Sequence, residues 1–189
     1  MEICLVRHGE TDWNRLGKLQ GHTDIELNAT GIEQANACAH YLGQKHYEVI
    51  YTSPLKRAKQ TADIIAKRTA LPIIEMPLFI ERNYGAAEGL TPDERKHKFP
   101  DSNYPNQESR EALTQRVLLA LEQIYLQQKA KKIIVVAHGA VINSILAALS
   151  QNEIGSGKTT LTNACLSTIQ FTENHWRIID YNIDTHLKV

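Results

Sequence analysis

Apolar positions along this chain follow two patterns: short unbroken runs, and longer stretches in which they recur every three or four residues. Ile3 to Val6 is an apolar run closed by Arg7. A run that short, bounded by charge and glycine, predicts a strand buried on both faces of a parallel sheet. Val49 to Thr52 predicts a second strand that leaves through Ser53-Pro54, and Ile133 to Ala137 is the strongest strand signal. Helical spacing appears between them. Thr30 and Glu33, three apart, predict a capping box opening a helix with Ala37, Ala39, Tyr41 and Leu42 on its apolar side. Leu55 to Lys67 repeats Ala58, Ala62, Ile65 and Ala66, and Glu108 to Gln128 repeats Leu113, Val117, Ala120, Leu121 and Ile124; both predict helices. A further helix, Ala140 to Leu149, follows the strongest strand at once. Alternation weakens from Leu71 to Tyr84, and Gly85 to Asn106, with its prolines and mixed charge, predicts an irregular excursion shaped like a lid. Cys165 to Phe171 and Trp176 to Tyr181, parted by Glu173-Asn174-His175, predict a terminal hairpin.

Strands alternating with helices predict an α/β fold in three layers: an open, mostly parallel sheet with helices on both faces. A length of 189 residues fits one domain, 1–189, with the lid-like excursion at about 82–110. Lys plus Arg and Asp plus Glu both number 21, for a formal charge of zero. That balance argues against nucleic acid or a membrane surface as partner, and makes any charged region a local site. Cys4, Cys38 and Cys165 are odd in number and lack C-x-x-C spacing, which predicts reduced, buried thiols and no zinc site. The opening apolar run is far shorter than a signal sequence, so a cytoplasmic protein is expected. The sequence does not specify an oligomeric state.

In open α/β folds the loops leaving the carboxyl ends of strands gather at one edge and form the site. Two such loops carry Arg7-His8-Gly9 and His138-Gly139, and a third junction leads to Arg57. Two histidines and two arginines so gathered suit a phosphate ester. Guanidinium forks bind phosphate oxygens in pairs, helix starts offer N–H groups to an anion, and Gly9 and Gly139 allow the main chain to approach closely. His8 is placed as nucleophile, since a neutral imidazole attacks phosphorus near pH 7 and divides one hard displacement into two. Arg7 and Arg57 stabilise the phosphoryl oxygens, which makes a metal dispensable; no metal or other cofactor is expected. Glu81 is the candidate proton donor to the leaving alkoxide.

These residues lie within five blocks: Leu5 to Asn14, Leu19 to Asn28 with Gly31, Tyr51 to Ala62, Glu81 to Gly89, and Val135 to Gly139. In that order the sequence resembles the histidine phosphatase superfamily, which contains cofactor-dependent phosphoglycerate mutases and many small phosphatases. The resemblance implies that His8 is phosphorylated, that Arg7, Arg57 and His138 hold the phosphate, and that Glu81 acts as acid and then base. It further implies phosphate contacts from Asn14, Gln20, Gly21 and the N–H of Gly139.

The resemblance covers both phosphatases and mutases. Mutases of the family carry a longer insertion between the acid and the second histidine, with basic residues for the substrate carboxylate. Here the interval from Glu81 to His138 is short, and Asp93 to Phe99 does not match the mutase's paired arginines. Hydrolysis of small phosphate monoesters is therefore expected, with a phosphorylated metabolite as partner. Phosphoglycerate mutase is the alternative, and a disabled phosphate-binding module is disfavoured because every catalytic residue is present. Glu81 to Gly85 resembles the mutase version of that loop, which marks Arg82 as a substrate ligand.

Several features carry ordinary readings. His40, His46, His97, His175 and His186 are expected to be structural or superficial, whereas the loop of His22 is expected to border the pocket. Trp13 is equally suited to the pocket mouth or the core. Lys129, Lys131 and Lys132 fit a solvated helix end. Gly155 to Thr160 looks like the end of a P-loop, but Asn152 stands where that pattern needs glycine and no strand precedes it; a turn at the pocket rim is expected instead.

Overall fold

A computed structural model of the chain describes residues 1–188. Its centre is one six-stranded sheet in the order β3-β2-β4-β1-β5-β6. The strands are β1 (Glu2–Arg7), β2 (Val49–Thr52), β3 (Ile73–Glu75), β4 (Lys132–Ala137), β5 (Leu166–Thr172) and β6 (His175–Ile183). The first four run parallel to their neighbours, while β5 pairs antiparallel with β1 and β6 antiparallel with β5. The expected α/β sheet is thus found, with the terminal hairpin as its antiparallel edge.

The helices are α1 (Asp12–Arg15), α2 (Ala29–Leu42), α3 (Lys56–Thr69), α4 (Pro92–Lys98), α5 (Arg110–Gln127) and α6 (Gly139–Leu149). Because successive strand residues face opposite sides, β1 and β4 supply two cores. Ile3, Leu5, Ile133 and Val135 pack with Leu113, Val117, Leu121, Ile142 and Ile145 of α5 and α6. Cys4, Val6, Ile134 and Val136 pack on the opposite face with Cys38, Leu42, Ala58, Ala62 and Ile65 of α2 and α3. The three cysteines are free and buried. Among the described residues no helix is long and apolar enough to cross a membrane.

The start of α2 corrects the sequence expectation. Its N-cap is Asn28, whose side chain accepts from the N–H of Gly31 at 2.8 Å, and Thr30 lies exposed within the first turn. Asn28 wins because its amide also donates to Glu10 Oε1 at 2.8 Å, tying the cap to the loop after β1. The expected irregular excursion contains α4, capped by Thr91 and Glu94 in a reciprocal capping box. β3 arises where alternation was weak; its three residues are all exposed, so no burial pattern marks them.

Candidate active site

The sheet order brings the chemistry together. β1 and β4 are adjacent, parallel and in a register that pairs Arg7 with Ala137, so both chains leave the sheet side by side. The His8 N–H donates to the Ala137 carbonyl at 3.0 Å, and the His8 and His138 rings lie 5.1 Å apart between centroids. β2 flanks β4, and the Ser53 N–H donates to the Val136 carbonyl at 3.0 Å, delivering α3 and Arg57 to the same edge.

His8 is 2% exposed, and its Nδ1 lies 2.7 Å from the Gly9 carbonyl. A carbonyl only accepts, so Nδ1 carries the proton and Nε2 keeps its lone pair. Burial, reinforced by Arg57 and Arg7, holds this imidazole well below its usual pKa. It remains neutral at pH values where a free histidine is charged. The loop is held by close backbone approach: a Cβ on Gly9 would lie 2.4 Å from the Gly31 carbonyl oxygen, and one on Gly31 would lie 2.0 Å from that of Glu10.

Arg57 is fully buried. It donates from Nη1 to the Thr23 carbonyl at 2.9 Å, from Nη2 to the Gly21 carbonyl at 2.8 Å and from Nε to His138 Nδ1 at 3.2 Å. A guanidinium has five N–H donors, so two remain for a ligand. The Nε bond fixes the tautomer of His138: Nδ1 accepts, and Nε2–H donates to Ser53 Oγ at 2.7 Å. Burial, then Arg57, lowers the pKa of His138 as well.

Arg7 donates through Nη1 to the Leu161 carbonyl, while its buried Nε has no partner. Gly139 opens α6 beside it; a Cβ there would stand 3.6 Å from Arg7 Nε, in ordinary contact, so this glycine keeps room above an unsatisfied donor rather than relieving a clash. Glu81 is 8% exposed; Oε1 accepts from the Arg82 N–H at 2.8 Å and Oε2 from the Ala140 N–H at 3.2 Å. Asn14 Oδ1 accepts from the Thr11 N–H at 3.1 Å and from Asn163 Nδ2 at 3.2 Å. Its Nδ2 is thereby presented as a donor. Gln20 rests on the Thr11 hydroxyl at 3.0 Å.

Arg7, His8, Asn14, Gln20, Gly21, Arg57, Glu81 and Gly139 line one cavity of about 590 Å³. Two expected ligands do not. His138 lies behind Arg57 and the His8 ring with both nitrogens engaged, so it braces the guanidinium instead of meeting the cavity. Arg82 bends aside to the Glu108 carbonyl at 2.9 Å and Gln107 Oε1 at 3.2 Å, and lines a neighbouring cavity. The loop of His22 borders the cavity as expected, through Leu19, Gln20 and Gly21, while His22 itself donates from Nε2 to the Glu81 carbonyl at 2.9 Å. The rim expected at Gly155 to Thr160 is present, through Ser156, Gly157, Thr159 and Thr160. Among the described residues no three His, Cys, Asp or Glu side chains are grouped to hold a metal ion.

Four supporting residues escaped sequence reasoning. Ser53 holds His138, and the Thr61 hydroxyl accepts from the Gly9 N–H at 3.1 Å. Glu88 accepts from the N–H groups of His22, Thr23 and Tyr84, fixing the turn whose carbonyls bind Arg57. Partial burial pushes its carboxyl up, but these bonds prevail and hold it below the usual range. Arg116 donates to the carbonyls of Leu78, Ile80 and Glu81 and pairs with Glu108 at 2.6 Å, bracing the loop that carries Glu81. The signal for Glu88 was its place in the fourth block; Arg116 had none.

A family model described as histidine phosphatase superfamily (branch 1) matches residues 3–184. The uncharacterized phosphatase PhoE of Bacillus subtilis is 50% identical over 185 residues, covering 98% of this chain and 96% of that protein. A metal-independent phosphoserine phosphatase of Arabidopsis thaliana is 38% identical over 200 residues, covering 98% of this chain and 83% of that protein. Among solved structures, a phosphoserine phosphatase of Entamoeba histolytica in complex with 3-phosphoglyceric acid superposes with a TM-score of 0.85 at 32% identity, covering 98% of each chain.

Proposed function

Since this chain belongs to the histidine phosphatase superfamily, branch 1, we propose that it hydrolyses small phosphate monoesters through a phosphohistidine on His8, without a metal. The observation that carries the reading is the state of His8: neutral, with Nδ1–H spent on Gly9 and its ring in the wall of a cavity that Arg7 and Arg57 also line. Nε2 attacks phosphorus as the ester P–O bond breaks, and Glu81 gives its proton to the leaving oxygen. Water then attacks the phosphohistidine, Glu81 takes back a proton, and phosphate leaves. Two guanidiniums and the positive end of α6 stabilise the charge on the transferring group, the part that magnesium plays in many phosphoryl-transfer enzymes.

In this reading Arg7, Arg57, Asn14, Gln20, Gly21 and Gly139 hold the phosphate, and His138 acts by orienting Arg57. The whole chain works as one domain, and the stretch 82–110 covers the cavity as a lid, a role supported by Tyr84 and Arg95 in the wall. The relatives' names favour hydrolysis over mutation and point to small phosphorylated acids as substrates.

Release of nitrophenol from p-nitrophenyl phosphate in the presence of EDTA tests the reading. We expect turnover by the parent chain and none above background by His8→Ala, with the fold retained by circular dichroism. Comparable turnover by that variant overturns the covalent route.

A further inference from the structure

Two donors from a distant segment meet at the carbonyl of His8. Asn163 Nδ2 donates to it at 3.1 Å and the Ala164 N–H at 3.2 Å. The other polar group of the same peptide is also fixed, since the Gly9 N–H donates to the Thr61 hydroxyl at 3.1 Å. The next peptide is tied through the Glu10 N–H, which donates to Gln34 Oε1 at 2.8 Å. Both peptides are therefore clamped, and with them the Gly9 carbonyl that sets the His8 ring at 2.7 Å.

The second hydrogen of the Asn163 amide goes to Asn14 Oδ1 at 3.2 Å. Its direction is forced from both sides. The Thr11 N–H, which can only donate, also meets Asn14 Oδ1, at 3.1 Å, and the His8 carbonyl can only accept. Position 163 must therefore offer two donors from one atom, and among uncharged side chains only an amide does so. Were Asn14 to flip, it would turn an oxygen instead of an N–H toward a phosphate in the cavity that it lines.

The local backbone is held in this arrangement against its own preference. Ala164 is fully buried with φ of 58°, a left-handed conformation that is unfavourable for a residue with a Cβ. Its carbonyl is held on the other side by His186 Nε2 at 3.0 Å and Cys38 Sγ at 3.1 Å. That turn aims the side chain of 163 and the N–H of 164 at one oxygen. Thr160 and Leu161 of the same segment reach the cavity wall, whereas Asn163 does not.

We propose that Asn163 is a positioning residue: one amide nitrogen sets both the backbone that carries His8 and the orientation of Asn14, so that attack and phosphate binding are aligned by a single side chain. It acts through those two residues and touches no substrate. The proposal rests on the phosphohistidine reading and adds to it a residue outside the five sequence blocks.

Asn163→Leu keeps the approximate shape and removes both donors. Two quantities are measured, kcat with p-nitrophenyl phosphate and the inhibition constant of inorganic phosphate, each with Asn14 present and in the Asn14→Ala background. With Asn14 present, we expect the inhibition constant to rise about three- to tenfold, the worth of one hydrogen bond. With alanine at 14 it does not rise further, because the effect runs through that side chain. A fall in kcat of about threefold or more appears in both backgrounds, since it runs through His8. General loosening of the fold would weaken phosphate equally in the two backgrounds, and that result overturns the proposal. So does a parental value of either quantity in Asn163→Leu. Asn163→Ser, which keeps one donor where two are needed, gives the same comparison if the leucine variant does not fold. Any of these failures leaves the phosphatase reading standing, whereas a parent chain that neither turns over the ester nor binds phosphate removes both.

Discussion

The choice of tautomer at each of two histidines organises the site at the scale of the residue. The Gly9 carbonyl leaves the lone pair of His8 on Nε2, and the Arg57 N–H takes up that of His138 on Nδ1, so two chemically identical side chains 5.1 Å apart are held as different tautomers. Residue types at the site were legible in the sequence, because Arg7, His8, Arg57 and His138 each sit in a compact local motif. Orientation was not: that His138 spends both nitrogens on Arg57 and Ser53, and that Arg82 turns toward Glu108, depends on neighbours 26 to 85 residues away. Glu81 is held over the cavity by two N–H donors, Arg82 and Ala140. Glu81→Gln keeps its size but loses the transferable proton. We expect alkyl phosphates, whose leaving groups are strongly basic, to slow by about 10²–10⁴-fold and nitrophenyl phosphate to slow far less. Equal losses across a leaving-group series would show that Glu81 is not the acid.

The contact between the loop after β1 and the start of α2 shows what local patterns cannot supply. Thr30 and Glu33 have the spacing of a capping box, yet Asn28 caps the helix because it alone also reaches Glu10. A rule based on three residues has no access to a partner 18 residues earlier. The long strands and helices were legible because burial enforces their periodicity, whereas exposed β3 and the short α4 carry too few buried positions to show one. The same contact makes a prediction about elements. Since a Cβ on Gly31 would come within 2.0 Å of the Glu10 carbonyl oxygen, Gly31→Ala must push α2 and the His8 loop apart. We expect a loss of about 1–3 kcal/mol in urea unfolding, together with a fall in kcat as His8 shifts from the two arginines. A variant with parental stability and turnover would show that the approach is looser than described.

Stability of the whole molecule is tied to pH through the same buried rings. His8 and His138 are held neutral in the fold, with pKa values well below the 6.5 of a free imidazole, chiefly by burial. Above that value both folded and unfolded chains are neutral there, and no difference arises. Below it the unfolded chain takes up protons that the folded chain refuses, so stability falls as pH drops, by about 1.4 kcal/mol per pH unit for each ring. Glu88 and Glu108, held below the usual carboxylate range despite partial burial, add a second loss in stronger acid, once the unfolded carboxyls begin to protonate near about pH 4.3. Urea unfolding at about pH 7.5 and about pH 5.5 measures the first step. An unchanged unfolding free energy would mean that the rings are not protected from protonation.

The stretch 161–165 passes directly over the first catalytic loop: Leu161 accepts from Arg7, Asn163 donates to the His8 carbonyl and to Asn14, and the Cys165 carbonyl accepts from the Arg7 N–H. Arg7 and Cys165 stand 158 positions apart in the chain. On a ribosome, His8 emerges early and waits for residues 161–165 before its surroundings exist. A nascent or clipped polypeptide that lacks residues 161–165 therefore carries the proposed nucleophile without its enclosure, and we expect it not to turn over phosphate esters.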